Sequence, residues 1–125
     1  MNSRSLKTVI IGASPNPDRV AFQAAGMLKA HGHEFIPVGI KEGEVLGQKI
    51  LMQSQLNEIK EVHTITLYVR AELQPAWYED LLSLKPKRII FNPGTENPEF
   101  EKLAEENGIE ATEACTLVLL STGQY

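Results

Sequence analysis

At 125 residues the chain has the length of one ordinary domain, and 42% hydrophobic with 22% charged residues is the composition of a soluble globular protein. No apolar run approaches the ~20 residues that span a bilayer, and a net charge of −4 weighs against a nucleic-acid surface, which needs clustered Lys and Arg. The lone cysteine, Cys115, excludes an intrachain disulfide, and His31, His33 and His63 lack metal-ligand spacing, so no metal site is expected.

Met1 to Leu6 leads directly into the first apolar run without the segments of an export signal, which makes the cytoplasm the expected compartment. Thr8 to Ile11, short, apolar and β-branched, predicts a first strand. Apolar residues recur near a 3.6 period from Arg19 to His31, predicting a helix that Gly32 ends, with Asp18 or Ser14 as its N-cap and Asp18 the simpler assignment. Glu34 to Val38 predicts a second strand, and Pro37 assigns it to an edge because proline cannot donate to a ladder. Between Gly39 and Lys60 the pattern is weak: Gly43 and Gly47 mark turns, Val45 to Met52 suits a short strand, and Gln53 to Ile59 suits a partial helical turn.

Val62 to Val69 reads as a third strand and Ala71 to Leu84 as a helix with Pro75 in its first turn. The basic cluster Lys85 to Arg88 reads as a solvated turn entering a strand, Arg88 to Phe91. Asn97-Pro98 has the form of N-cap and N1 of a helix that Gly108 stops. Ile109 to Thr112 is a last short strand, and Thr116 to Leu120 an apolar tail, strand or helix, that either closes its own core or packs on a second copy in a homodimer. Alternating strands and helices with short joints predict an α/β fold: one doubly wound domain over residues 1–125, with a mainly parallel sheet of five or six strands and helices on both faces.

In such sheets a ligand lies beyond the carboxyl ends of the strands, where the winding reverses. Four loops belong to that edge: Gly12 to Arg19, Gly39 to Glu44, Val69 to Glu72, and Asn92 to Asn97. In the first, Gly12 permits a tight turn and close approach of a phosphate, Ser14 adds a hydroxyl, and the following helix offers unpaired N–H groups. Pro15 and Pro17 stiffen it. The second strand ends in Pro37-Val38-Gly39-Ile40-Lys41, without the acid that takes the ribose hydroxyls of NAD; Lys41 suits a phosphate on the ribose, which favours CoA or NADP.

Gly12-Ala13-Ser14-Pro15 with Pro17-Asp18-Arg19, His31-Gly32 before a strand ending in Pro37-Val38, Val45-Leu46-Gly47, and Tyr68-Val69-Arg70 together resemble the small bacterial CoA-binding proteins. Those are stand-alone Rossmann-like domains, similar to the nucleotide-binding domain of the succinyl-CoA synthetase α subunit. The resemblance implies that Gly12, Ala13, Ser14 and Arg19 contact a pyrophosphate, that Val38, Gly39 and Lys41 contact the adenosine end, and that Val69 and Arg70 form the opposite wall. The chain departs from the family pattern at Gly39-Ile40, where Asn-Pro is more usual, and at Asn92 to Thr95, which replaces a glutamine-containing stretch.

No catalytic group is expected in the cleft. The histidines belong to the amino edge, and Cys115, although on the ligand-bearing edge, has no histidine to serve as its base. The expected function is non-catalytic binding of CoA, an acyl-CoA or a related nucleotide, with no nucleic-acid or membrane partner. The alternatives are a small NADP-dependent oxidoreductase, for which Tyr68 is the only nearby phenol, and an interaction protein that kept the fold and lost the ligand.

Overall fold

Val9, Ile10 and Ile11 are all fully buried, so β1 (Thr8–Ile11) is a strand covered on both faces. The computed structural model describes residues 5–125; Met1 to Arg4, the start of the expected lead-in, lie outside the described residues. After β1 come α1 (Val20–Ala30), β2 (Phe35–Val38), a hairpin of β3 (Glu44–Val45) and β4 (Gln48–Lys49), a 3-10 turn (Gln53–Glu58) and β5 (Thr64–Leu67). A second 3-10 segment (Ala71–Trp77) runs into α2 (Tyr78–Ser83), followed by β6 (Arg88–Phe91), α3 (Pro98–Glu106), β7 (Glu110–Glu113) and α4 (Thr116–Ser121).

Five strands form a parallel sheet in the order β2-β1-β5-β6-β7. The chain winds outward from β1 to β2, then returns to the other side of β1, so the reversal lies between β1 and β5. Ile11 pairs with both Val38 and Leu67, and Leu67 with Phe91. The strand ends are therefore level, and the loops that follow them emerge together at one edge.

Each face carries its own core. Val9, Ile11, Ile65, Leu67, Ile89 and Phe91 pack under Leu56, Trp77, Leu81 and Phe100, from the 3-10 segments, α2 and α3. On the other side Ile10 and Phe35 pack under Ala21, Ala25 and Leu28 of α1 and Leu120 of α4. Burial of these apolar side chains, at roughly 25 cal/mol per Å², is the main term that holds helices to sheet.

The sheet has five strands. The sixth strand allowed over Val45 to Met52 is instead the β3–β4 hairpin, with Leu46 at φ 49° and Gly47 at φ 85° in its turn. β2 is an edge strand, as Pro37 implies; Leu51 covers it, donating its N–H to Pro37 O while Gly39 N–H donates back to Leu51 O, both at 2.9 Å. The single helix expected over Ala71 to Leu84 is 3-10 up to Trp77, because Pro75 sits inside it rather than in the first turn and has no N–H to give an i→i−4 bond. Asn97 caps α3 as its spacing predicts, its Oδ1 accepting from Phe100 N, with Pro98 at N1. The apolar tail is helical: Thr116 and Leu120 are buried in the chain's own core, while Val118 is exposed.

Candidate functional site

Three of the level strand ends enclose a cavity of about 690 Å³ at the reversal between β1 and β5. Two glycines let them approach. Gly12 has φ 94°, and a Cβ there would come within 2.8 Å of the Tyr68 carbonyl oxygen at the end of β5; at Gly39 a Cβ would lie 2.6 Å from Ala13 O. The N–H groups of Gly12 and Ala13 both donate to Val38 O, at 2.9 and 3.0 Å, tying the turn to the end of β2. The missing side chain of Gly12 thus leaves room for Tyr68, where the sequence assigned that space to a phosphate.

The rest of the loop is locked by its own side chains. Ser14 Oγ accepts from Asn16 N at 3.1 Å, Asn16 Oδ1 accepts from Asp18 N at 2.9 Å, and Asn16 O accepts from Arg19 N at 3.0 Å. Pro15 packs against Gly43, where a Cβ would come within 2.9 Å of its ring. Asp18 is not the cap of α1: it lies in the turn that Asn16 closes, which engages its N–H, and the extended residue before the helix is Arg19 (φ −81°, ψ 143°), which is the N-cap. No side chain caps α1, and its first turn holds no acid. Among the described residues the amides of Ser14, Val20 and Ala21 have no acceptor, and all three residues line the cavity.

Of the residues assigned from the sequence, Gly12, Ala13, Ser14, Arg19, Gly39, Lys41, Val69 and Arg70 line this cavity. Val38 does not; its side chain is fully buried in the core and its carbonyl anchors the Gly12 turn. The fourth loop also stays away, because Asn92, Thr95 and Asn97 turn their side chains inward. Asn92 Nδ2 donates to Thr66 Oγ1 at 2.8 Å and Leu67 O at 3.0 Å, and Asn92 Oδ1 accepts from Thr116 N at 2.9 Å. Thr95 O accepts from Gln74 Nε2 at 2.8 Å; the same amide bonds Val69 O at 2.7 Å, so the loop braces the cavity wall from behind. The sequence reading missed Val20, Ile40, Leu73 and Trp77 as lining residues. Leu73 and Trp77 share a helical face that reads as core, and Ile40 gives a signal only as a large apolar residue in a loop.

Arg19, Lys41 and Arg70 bring three exposed cations to the cavity, against the carboxylate of Asp18 in its lining. Arg70 Nε lies 3.8 Å from Glu72, and both side chains are well exposed. Tyr68 lines the cavity but its hydroxyl is buried beside Thr66 and Thr116 with no hydrogen-bond partner, and burial pushes the phenol up to about 12. Thr66 and Thr116 bond each other instead, at 2.7 Å. Cys115 is the N-cap of α4 and does not line the cavity.

The three histidines lie at the opposite, amino edge. His33 Nδ1 accepts from Leu6 N at 2.9 Å, His31 Nδ1 bonds Met27 O at 2.8 Å, and His63 Nδ1 meets Thr64 Oγ1 at 2.8 Å. Arg88, taken from the sequence as part of a solvated turn, is held there too: its Nε donates to Thr64 Oγ1 at 2.8 Å and its guanidinium lies 4.3 Å over the Tyr125 ring. Among the described residues no three His, Cys, Asp or Glu side chains cluster as metal ligands would, and no helix is long and apolar enough to cross a membrane. The cavity therefore offers N–H donors and cations, an arrangement that holds phosphates.

Comparison with known proteins agrees with that chemistry. The family described as "CoA binding domain" matches residues 7–121. The uncharacterized protein YneT of Bacillus subtilis (strain 168) is 28% identical over 106 residues, 84% of this chain and 77% of its own length. A crystal structure of an uncharacterized protein superposes with a TM-score of 0.94 at 53% identity, covering 98% of this chain and 100% of its own. A hypothetical protein from Pyrococcus horikoshii OT3 does so with a TM-score of 0.85 at 30% identity, over 95% of this chain and 84% of its own. With the family match spanning nearly its whole length and the fold Rossmann-like, the chain belongs to the CoA-binding domain family.

Proposed function

We propose that the protein binds CoA or an acyl-CoA at this edge without transforming it. The observation that carries the reading is the uncapped start of α1: three amides without acceptors line a cavity to which Arg19, Lys41 and Arg70 add positive charge. The pyrophosphate lies on Ala13, Ser14, Arg19 and the first turn of α1. Gly39 and Lys41 take the adenosine end, Lys41 facing the phosphate on the ribose, and Val69 with Arg70 forms the far wall.

The cavity contains no histidine or cysteine, and the buried, protonated Tyr68 hydroxyl does not serve hydride chemistry as a proton donor. That weighs against an NADP-dependent oxidoreductase. Thermal shift with CoA, acetyl-CoA, NADP(H), NAD(H) and ADP tests the reading; a ligand at ~100 times its Kd adds about 2.7 kcal/mol to stability. Stabilisation by CoA species, with acetyl-CoA recovered unchanged on mass spectrometry, is the expected result. No shift with any CoA species overturns it, and a shift confined to NADP(H) assigns the site to the oxidoreductase reading.

A further inference from the structure

Five large apolar side chains stand exposed among the described residues, and three of them, Val20 (48%), Ile40 (83%) and Leu73 (52%), line this one cavity. They come from three separate segments, the start of α1, the β2–β3 loop and the 3-10 segment after β5, so local sequence does not group them; the fold does. Val69 and the buried Trp77 continue the apolar surface inward from Leu73. Apolar side chains gathered at the mouth of a cavity and bordered by charge mark a surface that a ligand covers.

The same lining carries Arg19, Lys41, Arg70 and the free amides of α1, so the occupant is anionic at one end and apolar at the other. Free CoA supplies the anionic part but ends in a pantetheine arm with two amides and a thiol, which leaves aliphatic walls wet and sets polar groups against them. Resting on the CoA reading above, we propose that the site is built for CoA thioesters bearing an apolar acyl chain, whose carbons lie on Leu73, Val69 and Trp77. The protein then discriminates acyl-CoA from free CoA, and longer acyl groups from acetyl.

Calorimetric titration of the full chain with CoA, acetyl-CoA and hexanoyl-CoA tests this. Each methylene taken fully out of water tightens binding about fourfold. Hexanoyl-CoA, four methylenes longer than acetyl-CoA, is expected to bind at least about tenfold tighter in a mouth that covers only part of the chain. Leu73→Ser, at an exposed position, should reduce that gain to less than about threefold while leaving free CoA within about twofold. Val118→Ser, at an exposed position on α4 outside the cavity, should leave the gain intact. Equal affinity for all three ligands, or a gain that survives Leu73→Ser, overturns the acyl assignment and leaves CoA binding standing. Failure of all three to bind removes the CoA reading itself. Sedimentation of the full chain, of Leu73→Ser and of a further variant, Ile40→Ser, covers the remaining occupant: a ligand-independent dimer that both changes dissociate reassigns the mouth to a second copy.

Discussion

The two edges of the sheet are made from similar materials and put to opposite use. At the amino edge Arg88, His33, His63, Thr8, Thr64 and Tyr125 are consumed by one another: guanidinium over ring, His33 ring 5.0 Å from that of Tyr125, and Tyr125 hydroxyl bonded to Thr8. At the carboxyl edge Arg19, Lys41, the first-turn amides of α1 and the side chains of Val20, Ile40 and Leu73 find no such partners. A fold spends its polar groups on closure at one edge and holds them open at the other, and the open edge is where the winding reverses. Side-chain type alone does not separate the two, since each edge has cations and apolar groups; at the amino edge Arg88 is packed against Thr64 and Tyr125, with only its Nη2 left buried without a partner, whereas Arg19 and Lys41 stand exposed at the cavity.

That contrast predicts that carboxyl-edge changes alter binding and amino-edge changes alter stability. Gly12→Val is the exception and the largest effect, since its Cβ would strike Tyr68 O and hold φ 94° against its preference. It should cost about 3 kcal/mol and about 10 °C in Tm even without ligand. A Gly12→Val protein with wild-type Tm would show that β1 and β5 do not need this approach. Tyr125→Ala removes the ring that covers Arg88 and meets His33, at about 2 kcal/mol by urea unfolding, and should leave CoA affinity within about twofold. A tenfold loss of CoA affinity in that variant would break the separation of the edges, with α4 the element that couples them.

Arg19→Ala reverses the pattern: an exposed side chain at the cavity, its loss should weaken CoA about tenfold, roughly 1.4 kcal/mol, and leave the unliganded Tm unchanged. The smallest effect is in pH. Burial, then the positive surroundings of His31, Arg88 and His63, hold the His33 imidazole below its usual 6.5. The unfolded chain binds the extra proton first, so this contribution is complete above about pH 6.5 and is lost as pH falls from there through the folded value. His63 is lowered in the same way, by burial and then Arg88 and Lys87. His33→Phe, which keeps a ring against Tyr125, should flatten but not abolish the loss of urea midpoint between pH 7.5 and 5.5. An unchanged slope would remove His33 from the amino-edge cluster.

Much of the cavity lining is legible in the sequence because its signals are local. Gly12 after a buried run, Ser14, Arg19 before a periodic stretch, and Lys41 just past the second strand can be read from a few neighbouring residues. The differences between sequence and structure have one physical origin. The resemblance gives Val38 to the adenosine end, whereas its side chain lies in the core, because whether a strand's last side chain faces cavity or core depends on the face it presents. Asn92 to Asn97 was assigned to the cavity by its edge, yet Thr66, Gln74 and Thr116, each about twenty or more residues away along the chain, satisfy its polar groups and turn it inward. Asp18 looked like a cap until Asn16 claimed its N–H.

By itself the sequence determined the alternation of strands and helices, the edge position of β2 through Pro37, the α3 cap at Asn97-Pro98 and the set of loops that share one edge. Those follow from hydrophobic period, proline's missing N–H and short connections, which are properties of adjacent residues. Tertiary structure decided what Gly12 makes room for, why Arg88 is not solvated and that Val20, Ile40 and Leu73 meet. Each of these depends on groups brought together from distant parts of the chain, up to the 117 residues between Thr8 and Tyr125, and no local pattern encodes which of them will be satisfied and which left open.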